Sequence, residues 1–289
     1  MDALLEPLGY AFFLKGLLVA SLAGALLGLI GVFIVLRGMS YIGHGLSHSI
    51  FGGFAAAQLF AAQFYLIGAG IWGIASALAI TTVARRSRVG ADAAIGVITT
   101  ASFAIGVALF AKFGTSGPSF DNALFGSILG ITPEQIWVLA AVCVLASAFV
   151  FLRYRALQFA TFDPDVADVS GVRVVRLEAA LMIVLSLSIL ATLTIIGVTL
   201  VAAMLVIPAV VGRMLTDSFG RMLAYSTIVG VFSGFVGMYV SYFAGVPSGT
   251  MIVLVGALIF VIVLAITRGR GLRRSADLDR HTEEPVLVR

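Results

Sequence analysis

The chain has 289 residues, 61% of them hydrophobic and 11% charged, with a formal net charge of +4 and a mean hydropathy of +1.12. Water-soluble proteins carry about 25% charged residues, so this composition excludes a sizeable soluble domain. Apolar runs of ~18 residues or more recur along the chain and read as an all-α polytopic membrane protein; the cations at their ends follow the positive-inside bias rather than marking a nucleic-acid surface.

The N-terminal MDALLEPLGYAFFLKG begins acidic and lacks a small-residue cleavage site. It reads as a short amphipathic lead-in rather than a signal peptide. The first span covers residues 15–36 and contains Gly24, Gly28 and Gly31. Small residues at such spacings let a second helix approach closely, although filler is an equally good reading. Arg37 ends the span.

The second span begins near residue 40 within RGMSYIGHGLSHSIFGGFAAA. Four residues separate His44 from His48, so a helix places both imidazoles on nearly one face, with Ser47 nearby. Gly43, Gly45, Gly52 and Gly53 keep the surroundings narrow. The third span, residues 64–83, stops at Arg85, Arg86 and Arg88, which fix a cytoplasmic loop. Asp92 is expected to N-cap the fourth span, residues 93–112, and Lys112 to reach an outer interface. Residues 114–135 are rich in Gly, Ser and Pro and can hold a short interfacial helix. Thr132-Pro133-Glu134 reads as a helix start.

After a fifth span, residues 136–152, the polar stretch 153–176 holds FDPDVADVSG. This reads as a short helix with Asp163 at its N-cap, Pro164 at its first position and Gly171 beyond its end. Residues 177–215 are apolar for longer than one span, with a soft break near 194–197 and a bend expected at Pro208. They form two spans, or one span and a broken helix. A further span over 223–243 carries Gly230, Gly234 and Gly237. A turn, GVPSG, leads to the last span, 250–267. The count is eight or nine spans in the cell membrane with the C-terminus inside. Residues 1–268 form the transmembrane domain, and 269–289 a charged, disordered cytoplasmic tail.

Ionisable side chains at membrane depth are costly and mark functional sites by default. Two imidazoles one turn apart can share a divalent cation. They can equally be a neutral structural pair bonded to neighbouring carbonyls, or part of a proton relay, and the residues alone leave these readings open. An H-E-x-x-H metalloprotease is excluded, because Gly45, Leu46 and Ser47 supply no carboxylate between the histidines. There is no G-x-x-x-x-G-K-[ST] loop either, so the chain is not expected to be an enzyme. The lone cysteine, Cys143, excludes an internal disulfide. The FDPDVADVSG helix suits either docking on a soluble partner or lying on the headgroups. A secondary carrier or proton-coupled channel using the histidine pair is one reading of these residues.

Several stretches, in order, resemble the membrane permease subunit of zinc/manganese ABC transporters, the ABC-3 family. RGMSYIGHGLSHS (37–49) is similar to R-R-[ML]-S-x-x-G-D-x-L-x-H-A, and DAAIG (92–96) to D-[AT]-x-[IL]-G. LFGSILGI (124–131), FDPDVA (162–167), IGVTLVAAMLVIPA (196–209) and VPSG (246–249) resemble later family motifs. The resemblance implies a homodimeric permease with two cytoplasmic ATPase subunits that bind ATP and an extracytoplasmic solute-binding protein. It implies ATPase coupling through Phe162, Asp163, Pro164, Asp165, Asp168 and Gly171. His48 falls on the family's metal-liganding His, and His44 falls where most members have a liganding Asp; Ser47 is placed near the site by helix spacing alone. Exchanging carboxylate for imidazole tilts the expected cargo from manganese toward zinc, with iron also accommodated. The chain itself is expected to need no cofactor.

Overall fold

The computed structural model describes residues 6–57, 65–86, 90–113 and 131–282. The expected lead-in before residue 6, the start of the third span, Arg88 and the 114–130 connection lie outside the described residues. So does most of the LFGSILGI motif.

After a 3-10 turn at Glu6–Gly9 the described chain is helical throughout. In order the helices are α1 (Ala11–Leu36), α2 (Ile42–Ala57), α3 (Tyr65–Arg86), α4 (Ala91–Phe113), α5 (Pro133–Leu152), α6 (Tyr154–Phe162), α7 (Pro164–Val169), α8 (Val174–Ile196), α9 (Val198–Leu215), α10 (Phe219–Ala244) and α11 (Ser248–Thr282). Seven of them, α1, α3, α4, α5, α8, α10 and α11, are long and apolar enough to cross a membrane. The apolar helices α2 and α9 are shorter, with 16 and 18 residues. Helical backbone in α11 continues past its apolar run into the charged residues that follow.

Helix α1 is the axis of the bundle. It is buried on nearly every face and packs against α5, α8, α9 and α10. Its glycines are contact points. A Cβ on Gly24 would collide with the carbonyl of Gly230, and a Cβ on Gly230 with that of Gly24. One on Gly28 would lie 2.6 Å from the Ser226 oxygen, while Ser226 Oγ donates to the Gly28 carbonyl at 2.6 Å. Lipid offers helices no hydrophobic reason to associate, so close backbone approach and interhelical hydrogen bonds hold them together. These glycines are therefore packing residues and not filler.

The long apolar run divides at Gly197, where φ is 93° and ψ 152°. Thr192, one turn earlier, returns its hydroxyl to the Ser188 carbonyl at 2.8 Å. Pro208 lies inside α9, and the helix runs through it. Thr132 caps α5 as the sequence suggests: its Oγ1 accepts from Gln135 N, and Gln135 Oε1 accepts from Thr132 N. Asp92 is a correction. Helix α4 starts at Ala91, so Asp92 lies within the first turn and not at the cap. A carboxylate there still suits the positive helix end.

Candidate functional site

Helix α2 is held by α3, α4, α8 and α9. Small residues permit that enclosure. A Cβ on Gly45 would come within 3 Å of Thr99 and Ile95 of α4, and one on Gly43 within 2.6 Å of Leu205 of α9. Gly52 meets the backbone of Ser102 and Gly53 the ring of Trp72.

The two imidazoles face each other. Their ring centroids are 4.5 Å apart and the planes meet at 73°. Phe103 of α4 stands edge-on to His48 at 5.2 Å, and Tyr41 flanks His44 at 5.5 Å. Both histidines are half-buried. Ser47 is completely buried instead; its Oγ lies 2.8 Å from the His44 carbonyl and 3.1 Å from that of Val198. It anchors the helix rather than lining an open site. Among the described residues no third His, Cys, Asp or Glu joins the pair into a metal-binding group.

Sequence reasoning missed a polar cluster behind the pair. Ser49 Oγ lies 2.6 Å from the hydroxyl of Ser76 and 2.7 Å from that of Ser102, and Trp72 Nε1 donates to Ser102. This ties α2 to α3 and α4 one residue from His48. Serines in apolar runs are the only sequence signal for it.

The second candidate region forms as expected. Asp163 Oδ1 accepts from Val166 N at 3.0 Å, and Pro164 opens α7. Gly171 has a φ of 88°, Gly171 N donates to the Asp168 carbonyl and Val172 N to the Ala167 carbonyl, both at 3.0 Å. These two bonds need a left-handed residue after the helix, which Gly supplies without a Cβ penalty. Asp163, Asp165 and Asp168 are exposed. So are Phe162 (60%), Val166 (50%) and Val169 (90%), whereas Ala167 is fully buried. The helix thus presents carboxylates and bare apolar side chains together. Helix α7 packs against α6 and α8, and α8 also meets the histidine helix α2.

The family model for the ABC 3 transport family matches residues 9–267. The chain belongs to the ABC 3 transport family. This ABC 3 family chain is 36% identical over 267 residues to the "Manganese transport system membrane protein MntC" of Halalkalibacterium halodurans, covering 92% of the chain and 91% of the relative. It is 32% identical to a "Probable iron transport system membrane protein" of Haemophilus influenzae, covering 93% and 98%. Among solved structures it is similar to a chain of PsaBC from Streptococcus pneumoniae in complex with Fab. That match has a TM-score of 0.81 at 28% identity and covers 91% and 95% of the two chains.

Proposed function

We propose that this chain is the membrane permease subunit of an ATP-driven importer for divalent transition metal ions, with His44 and His48 as transient ligands of the cargo. The observation that carries this reading is the facing imidazole pair at 4.5 Å in a half-buried position of a mainly apolar bundle. Relatives named for manganese and iron transport support the metal class. Two imidazoles supply half of a tetrahedral shell, and a homodimer supplies the pair twice. Imidazole suits zinc and iron(II), whereas manganese favours carboxylate and water. Zinc is accordingly the proposed cargo, ahead of iron(II) and manganese. A ligand set without carboxylate charge binds the ion loosely enough to release it.

Helix α7 is the proposed contact with a cytoplasmic ATPase subunit. The exposed Phe162 at the end of α6, with Val166 and Val169 of α7, suits a groove on a protein partner better than water. A solute-binding protein delivers the ion at the opposite end. The test is uptake by the complex reconstituted in liposomes, with zinc, iron(II) and manganese in competition. ATP-dependent zinc uptake that vanishes in His44→Ala/His48→Ala supports the reading. Unchanged uptake by that variant removes the pair from the ion path.

A further inference from the structure

Arg37 is the C-cap residue of α1, and its side chain is only 8% exposed. The guanidinium joins elements that are distant in sequence. Nη1 lies 3.3 Å from Glu178 Oε1 in the first turns of α8. Nη2 and Nε donate to Thr161 Oγ1 at 3.3 and 3.4 Å. Thr161 precedes by two residues Asp163, the N-cap of α7. In the other direction Arg37 precedes by five residues Ile42, where the histidine helix α2 begins.

The exit from α1 is stiff. Gly38, with φ 69°, donates to the Val35 carbonyl at 3.2 Å, and Met39 N to that of Ile34 at 3.0 Å. A displacement of the Arg37 backbone therefore moves the start of α2 and is not absorbed by a slack loop. A cavity of about 370 Å³ adjoins the pair, lined by Arg37, Thr161, Pro164 and Glu178 together with residues of α3. It gives the guanidinium room for a second position. An apolar contact runs parallel, through Phe33, Phe219 and Phe162, but rings in contact can slide. Charge-assisted hydrogen bonds fix direction as well as distance, and a buried cation separated from its carboxylate is strongly destabilising.

We propose that Arg37 is a positioning residue for transport: through Thr161 and Glu178 it carries movement of the α6–α7 corner into the α1–α2 turn, and so to His44 and His48. This rests on reading the chain as an ATP-driven permease with α7 against the ATPase.

The experiment measures ATP hydrolysis and radiolabelled zinc uptake together, in proteoliposomes holding the permease with its ATPase subunit. The readout is zinc moved per ATP hydrolysed. Glu178→Gln and Thr161→Val are the mild variants and Arg37→Met the severe one. The proposal expects hydrolysis to persist while zinc per ATP falls at least about fivefold, the lower end of ordinary coupling free energies. It also expects the exchange Arg37→Glu/Glu178→Arg to recover part of the ratio. Loss of hydrolysis and uptake in equal proportion in the mild variants means a purely structural pair and overturns the proposal. If Arg37→Met fails to assemble, Thr161→Val decides alone, because it keeps the ion pair. Wild-type complex that moves no zinc, iron(II) or manganese with ATP refutes the functional reading itself, before any variant is compared.

Discussion

The hydroxyl of Ser47 donates to the carbonyl oxygen of Val198 at 3.1 Å, while lying 2.8 Å from the carbonyl of His44. Val198 is the first residue of α9, directly after the break at Gly197. The helix that bears the histidines is thus hydrogen-bonded to the point where its neighbour's backbone is interrupted. Ser47 has no exposure to solvent, so water cannot replace this donor.

Ser47→Ala is expected to leave the fold intact and to lower stability by roughly 0.6 kcal/mol, the average for interhelical hydrogen bonds in membranes. Ser47→Leu forces bulk into a filled site and is expected to cost about 1–3 kcal/mol. Thermal unfolding in detergent, followed by loss of the monodisperse peak, checks both.

Metal uptake is expected to fall in acid. Only neutral imidazole offers a lone pair to the ion, and protons compete with the ion for it. His44→Asp replaces one of the two groups by a carboxylate with an ordinary pKa of about 3.9. Its acid limb is expected to be shallower, and its preference to move toward manganese. Uptake measured from pH 5 to 8 with zinc and manganese in parallel tests both shifts; identical profiles for the two proteins would count against ligation by His44.

Gly24→Ala is expected to destabilise by about 1–3 kcal/mol, because the added methyl collides with the Gly230 carbonyl and two backbones must separate. Gly96→Ala is the contrast. Nothing lies within 4 Å of a Cβ there, and Ala is favoured over Gly in a helix by about 1 kcal/mol. Unfolding midpoints of the two variants should move in opposite directions.

Asp163→Ala removes the cap of α7 and is expected to cost about 1 kcal/mol locally. Because α7 is exposed, the global midpoint barely moves, while co-purification of the ATPase subunit weakens. Asp163→Asn keeps a capping oxygen and should retain the partner. Equal loss in both variants shows that the charge, not the cap, is recognised.

The membrane class, most span limits and the α7 helix were legible in the sequence, because each rests on local rules. Apolar run length sets a span, Thr132-Pro133 opens α5, and Asp163-Pro164 with Gly171 brackets α7. Local spacing also put His44 and His48 together, since four residues on a helix share a face. Asp92 shows the limit of that reasoning: capping residue types also occur in the first turn, and only the backbone decides which position they hold.

The tertiary structure decided everything that depends on which helix meets which. Arg37 reads as an ordinary span terminus, yet it is buried against Glu178, far along the chain. Ser47 reads as a companion of the histidines, yet its hydroxyl is buried against the Val198 carbonyl of α9. The glycines of α1 and α10 are ambiguous until their carbonyls are seen at van der Waals limits. The physical reason is that periodicity fixes the direction of a side chain around its own helix axis, whereas its partner depends on how helices cross, a property of the whole bundle.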